Sequence, residues 1–263
     1  MKTATTGLLL GIFISVGCGG DRSPVAPETV ALNDTAGSGS TSAVASAERR
    51  MQIPENFPFQ KILCFGDSVT IGVTLQSGSD GGLRTELAVV EGYVPKLKRR
   101  LEERYGTGFE LVIEAVGGEN TREALDRIDT FIHRHDPDVV LILSGIVDVN
   151  VEVVRFPVVR SNLAEMMRIV QLRGKFPIIG TYPSVNPDGF RVFAIEHVAR
   201  LNDIIRQEAK RKNVLIADHE SASTDDFRGQ GSDGVHPNNI GYEAMAQTWF
   251  EAMEEALEAL GVT

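Results

Sequence analysis

The strongest constraint on this chain is a series of short apolar runs separated by segments of helical spacing. The runs are Ile62–Phe65, Phe109–Ile113, Val139–Leu143, Pro177–Gly180 and Val214–Ala217. They are apolar at successive positions and rich in β-branched residues, as strands buried on both faces of a parallel sheet must be. Between them, Ala124, Leu125, Ile128, Phe131 and Ile132 form one helical stripe, and Leu163, Met166, Met167 and Val170 another. Ile195, Val198, Leu201 and Ile205 form a third; Tyr242, Met245, Trp249, Met253, Leu257 and Leu260 form the last. Stripes of this width pack one helix face against a sheet. Alternating strands and helices with right-handed crossovers give a three-layer α/β/α sandwich around a five-stranded parallel sheet. The Met and aromatic positions are expected in the core.

Residues 56–263 suffice for one well-buried α/β domain, with no internal repeat. Ahead of it, residues 1–18 read as an export signal: Lys2, a short apolar run from Leu8 to Val16, then small residues before Cys18. The run is too short to span a bilayer as a helix. Small residues followed by Cys18 resemble the lipobox of bacterial lipoproteins, which implies lipidation of that cysteine; plain secretion is the alternative. Residues 19–55, rich in Gly, Ser, Thr, Ala and Pro, read as a flexible linker. The expected location is exported, as a cell-envelope lipoprotein or a periplasmic or extracellular protein, touching membrane only through a lipid anchor. With Cys18 lipidated or removed, Cys64 has no disulfide partner and reads as a small buried hydrophobe. A formal net charge of −10 argues against binding a phosphate backbone, so nucleic acid is not an expected partner.

Ligands of open α/β sheets bind outside the carboxyl ends of the strands. Loops 66–72, 114–121, 144–150 and 218–236 leave those ends carrying polar or glycine-rich residues. Ser68 follows the first strand, and a hydroxyl becomes nucleophilic when a nearby base takes its proton. His236 is the candidate base, and Asp233, one turn earlier, can orient its imidazole. The structural alternatives are a helix N-cap for Ser68 and an Asx turn for Asp233–His236. Thr70 stands where a Gly-x-Ser-x-Gly nucleophile elbow needs glycine. Gly117-Gly118 lacks dinucleotide-loop spacing. His133 and His135 fit a helix end, and no metal or organic cofactor is expected. The run from Lys96 to Arg100 reads as a solvated helix face, and His197 and His219 show no catalytic partner.

Taken together, these motifs resemble the GDSL or SGNH hydrolase family over residues 60–260. Gly66-Asp67-Ser68-Val69-Thr70-Ile71-Gly72 is similar to its first block, and Asp233-Gly234-Val235-His236-Pro237-Asn238 to its last. The resemblance implies a flavodoxin-like sandwich and a Ser68–His236–Asp233 triad. Val116-Gly117-Gly118-Glu119-Asn120-Thr121 looks like the second block, which implies an oxyanion donor at Gly118 beside the Ser68 N–H. The third block departs: Gly145-Ile146-Val147-Asp148 carries Val147 where the family has an oxyanion-donating Asn, and Asn150 is the nearest substitute. A reduced or differently built oxyanion hole is expected. The implied function is a serine esterase acting on short-acyl, lipid or acetylated-sugar esters through an acyl-enzyme. The alternatives are an O-acyltransferase using the same residues and a non-catalytic surface binding protein. Residues 73–92 are expected to form a long connection lining the acyl or leaving-group pocket.

Overall fold

The computed structural model describes residues 52–77, 85–151, 153–223 and 229–262. The proposed signal with Cys18, and the linker up to residue 51, lie outside the described residues. The elements run β1 (Lys61–Gly66), α1 (Ser68–Ile71), β2 (Val73–Ser77), β3 (Thr85–Val89), α2 (Tyr93–Tyr105), β4 (Glu110–Ala115) and α3 (Thr121–His135). Then follow β5 (Val139–Leu143), α4 (Ile146–Val149), α5 (Phe156–Leu172), β6 (Phe176–Gly180), a 3-10 turn (Val192–Ala194), α6 (Ile195–Lys212), β7 (Leu215–Ala217) and α7 (Asn239–Ala259).

Each of the apolar runs becomes a strand of one parallel sheet, in the order β4-β1-β5-β6-β7. Counting only these strands as they appear in the chain, the order is 2-1-3-4-5, the flavodoxin-like arrangement. β5 has no exposed residue, as a central strand covered on both faces requires. β4 lies at the sheet edge, and there Ile113 is 45% exposed. Helices α2 and α7 pack against each other, and α3, α5 and α6 pack in sequence, giving the two outer layers. Trp249 is fully buried on α7, with its ring centroid 5.8 Å from that of Tyr93 on α2. The Met and aromatic residues of the last stripe are therefore core, and Cys64 is buried, which pushes its thiol up. Among the described residues no helix is long and apolar enough to cross a membrane.

Two features differ from the sequence expectation. The connection 73–92 contains an antiparallel pair, β2 with β3, in register Val73↔Val89; its glycines 78, 81 and 82 lie outside the described residues. The helix face at Lys96 is not solvated: Lys96 is 3% exposed, with Nζ 3.3 Å from Glu91 and 3.2 Å from Glu243 of α7. Its long apolar stem lies under the α2–α7 contact and only its charge needs carboxylates.

His219, just after β7, is 2% exposed and sits edge-on to Trp249 with centroids 5.0 Å apart. Burial lowers its pKa from 6.5 to about 3, against the pull of Asp218. The folded protein thus binds this proton less readily than the unfolded chain. Its contribution to stability is intact above the unfolded value and is lost as pH falls below it, by up to about 1.4 kcal/mol per pH unit. Urea unfolding at about pH 7 and about pH 5 should therefore show the native protein losing about 1–2 kcal/mol more than His219→Phe. Equal losses contradict this account.

Candidate active site

The turn that leaves β1 is closely packed. Gly66 is required there because an added Cβ would lie 2.3 Å from Thr70 Oγ1 and 2.6 Å from the Leu143 carbonyl oxygen. The chain then turns through Asp67, the N-cap of α1, whose Oδ1 accepts from Val69 N at 2.9 Å. Capping thus falls to Asp67, and Ser68 becomes the first helical residue with its side chain free for other work.

Across the edge, the segment between β7 and α7 carries Asp233 and His236. Ser68 Oγ is 2.9 Å from His236 Nε2, and His236 Nδ1 is 2.7 Å from Asp233 Oδ2. The other carboxylate oxygen, Asp233 Oδ1, accepts from the N–H groups of Val235 at 3.1 Å and His236 at 2.9 Å. The Asx turn and the imidazole contact are thus two ends of one carboxylate. Asp233 is fully buried; burial alone would raise its carboxyl, but the His236 side chain and the N–H groups of residues 235 and 236 hold it below the usual range. An ionised acceptor at Nδ1 fixes the tautomer that leaves Nε2 able to take a proton from Ser68.

Neighbouring chain segments hold this loop. Ser232 donates from N at 2.9 Å and from Oγ at 3.1 Å to the Leu75 carbonyl of β2, so the connection after β1 braces the segment that carries His236. Asn238 caps α7 by accepting from Ile240 N and Gly241 N. The loop after β6, not among those singled out from sequence, adds Arg191. Its N–H donates to Asp233 O at 3.1 Å, and its Nε lies 3.1 Å from Asp233 Oδ2 as an ion-pair contact without hydrogen-bond geometry.

The loop between β4 and α3 flanks Ser68: a Cβ on Gly117 would sit 3.9 Å from Ser68 Cβ. Gly118 has φ +79°, a conformation that favours glycine. The N–H groups of Ser68 and Gly118 donate to no protein acceptor among the described residues. The rest of the loop is pinned. Buried Glu119 takes a bidentate contact from Arg127, at 2.5 and 2.7 Å, and that guanidinium lies 5.0 Å from the centroid of the Phe65 ring. Asn120 and Glu123 form a capping box at the start of α3. Thr121 donates from N and Oγ1 to Asp148 at 2.7 and 2.9 Å, and Asn162 Nδ2 donates to Thr121 Oγ1 at 3.0 Å. Burial raises the Asp148 carboxyl despite those Thr121 bonds.

Val147, in α4, is half-buried against the core and carries no donor. Asn150 is the C-cap of α4, and its Oδ1 is buried with no hydrogen-bond partner among the described residues. Two other histidines are engaged elsewhere: His197 Nδ1 lies 3.0 Å from Val149 O, and His135, in the last turn of α3, has its Nε2 2.7 Å from Glu114 of β4. The sequence singles out neither Tyr182 nor Arg191, and it places Thr121 and Asp148 in the quoted blocks without a role. The available signal was position, since Tyr182 stands two residues past the fourth apolar run, on the same edge as the other loops.

The profile of the GDSL-like lipase/acylhydrolase family matches residues 64–244. A multidomain esterase from Ruminococcus flavefaciens is 29% identical over 133 residues, which is 49% of this chain but 17% of that protein. The chain therefore spans a small part of that relative's length. A lipase/acylhydrolase from Enterococcus faecalis superposes with a TM-score of 0.63 at 21% identity, covering 75% of this chain and 96% of that one. A catalytic mutant of an acetylxylan esterase from Geobacillus stearothermophilus gives 0.61 at 19% identity, covering 78% and 96%. At such identities the structures share the fold.

Replacing Asp148 by Ala leaves the Thr121 N–H and hydroxyl without their acceptor in a half-buried site. The expected cost is about 1–3 kcal/mol in urea unfolding at neutral pH. An unchanged midpoint means that Asp148 does not hold the 116–121 loop.

Proposed function

Since the chain belongs to the GDSL-like lipase/acylhydrolase family, we propose that it is a serine esterase cleaving carboxylic esters at Ser68 through an acyl-enzyme. The observation that carries this reading is the continuous hydrogen-bonded line from Ser68 Oγ through His236 to buried Asp233. His236 Nε2 takes the Ser68 proton as Oγ attacks the ester carbonyl. The resulting oxyanion is held by the N–H groups of Ser68 and Gly118. Collapse breaks the ester bond, and His236 gives its proton to the departing alkoxide to release an alcohol. His236 then takes a proton from water, whose hydroxyl attacks the acyl carbon; Ser68 recovers the proton and a carboxylic acid leaves.

Substrates are short-acyl, lipid or acetylated-sugar esters. A sugar hydroxyl in place of water in the second half turns the same residues into an O-acyltransferase. The intact Ser68–His236–Asp233 line favours an enzyme over a binding protein on a degenerate scaffold. Val147 cannot donate, and one oxyanion donor is typically worth roughly 100- to 1000-fold in rate. The chain therefore works as a slower esterase with a hole of backbone donors. At the N-terminus, the sequence ahead of Cys18 supports export with lipidation at that residue.

Hydrolysis of a short-chain nitrophenyl ester tests the reading. Ser68→Ala should lose at least roughly 1000-fold in kcat, while Val147→Asn should gain roughly tenfold or more. Native activity no greater than that of Ser68→Ala sinks the esterase reading. No gain at Val147→Asn sinks only the account of the missing donor.

A further inference from the structure

Asp67 is 1% exposed, stands directly before the proposed nucleophile, and has no part in the mechanism so far. Its Oδ1 caps α1 through Val69 N, and its Oδ2 accepts from Tyr182 Oη at 2.5 Å. Tyr182, 2% exposed, is itself clamped: its N donates to Asn202 Oδ1 at 2.8 Å and its carbonyl accepts from Asn202 Nδ2 at 2.9 Å. Asn202 is fully buried on α6. A continuous chain of bonds thus runs from α6, through the loop after β6, to the turn that presents Ser68.

We propose that the Asp67–Tyr182 pair is a positioning device for Ser68, and that it positions best with Asp67 ionised. This rests on Ser68 being the nucleophile. α1 is a single turn of 4 residues, and an isolated turn is not stabilised by its own hydrogen bonds. Its orientation is therefore set by its cap and by whatever holds the cap. The first residue of that turn supplies both the attacking Oγ and one oxyanion N–H. With valine at 147, the cradle consists of backbone donors alone, so their placement matters more than it would beside a third, side-chain donor.

Charge makes the device sensitive to protons. Burial raises the Asp67 carboxyl from 3.8 to about 6, offset in part by the bonds from Tyr182 and Val69 N–H and by His236, while Glu119 adds to the rise. The titratable groups facing it come from each packed element: His236 from the loop before α7, Glu119 from the loop before α3, Tyr182 from the loop after β6, Tyr93 of α2 and Tyr242 of α7. Glu119 is already paired with Arg127, and the phenols stay neutral because burial drives them upward. That leaves Asp67 as the facing carboxyl whose charge is open to protonation. Ionised Asp67 accepts both of its bonds and favours the imidazolium formed during attack. A proton on it removes that charge and competes with the Tyr182 donor.

The test measures kcat and KM for a short-chain nitrophenyl ester from about pH 4.5 to 8 for the native protein, Tyr182→Phe, Asp67→Asn and Ser68→Ala, with urea midpoints confirming folding. Native kcat should exceed that of Asp67→Asn by roughly tenfold or more near pH 8, and the ratio should fall toward one as pH drops through about 6, where Asp67 takes up its proton. Asn caps as well as Asp and does not titrate, so Asp67→Asn stands for the protonated acid at every pH. Tyr182→Phe should lower kcat roughly ten- to hundredfold with KM within about threefold, as misplacement of a reacting group does. A ratio of native protein to Asp67→Asn that does not change with pH, or native kcat in Tyr182→Phe, overturns the inference while a dead Ser68→Ala leaves the esterase reading standing. Turnover that survives Ser68→Ala overturns both. Should Tyr182→Phe not fold, the ratio of native protein to Asp67→Asn decides alone.

Discussion

The level ending of three neighbouring strands is the constraint on which the rest of the structure depends. In the parallel ladders, Gly66 pairs with Ala115 of β4 on one side and with Leu143 of β5 on the other. Because β1 is buried on both faces and flanked by partners, its register has no freedom to slip. The loops that follow these three strands therefore start side by side, and the serine, the glycine pair and α4 emerge at one edge. Nothing larger than glycine fits where β1 meets the Leu143 carbonyl and Thr70, so the turn into Asp67 and Ser68 is sharp.

On that frame, two buried carboxylates are pushed in opposite directions by their surroundings. Asp233 is offset by an imidazole and two N–H donors and stays ionised; Asp67 has a phenol and one N–H, and burial wins. Separation of this kind between neighbouring acids marks out different roles within one site. Asp233 holds the tautomer of His236, and Asp67 holds the turn that carries Ser68. The loop after β6 serves both, since Arg191 touches the first and Tyr182 the second.

Much of this was legible in the sequence because it depends on local pattern. Apolar runs such as Val139–Leu143 have no polar residue to place outward, so they announce doubly covered strands. Asp233 and His236 are three apart and can meet within one turn. The contacts that escaped notice are long-range. Tyr182 reaches Asp67 across 115 residues of sequence, and Asp148 reaches Thr121 across 27; neither pairing follows from any periodicity. Lys96 looked solvated for the same reason, since Glu243, one of its two carboxylate partners, lies on the last helix. The β2–β3 pair was hidden by the glycines that interrupt the alternation between its strands.

The central claim is that Ser68, activated by His236, is the nucleophile of this fold. Treatment with a fluorophosphonate followed by mass spectrometry of the peptides tests it without knowledge of the natural ester. The account predicts one phosphonyl adduct, on Ser68, formed at neutral pH and abolished in His236→Ala. An adduct on another residue, or a Ser68 that stays unmodified while the protein remains folded, contradicts it.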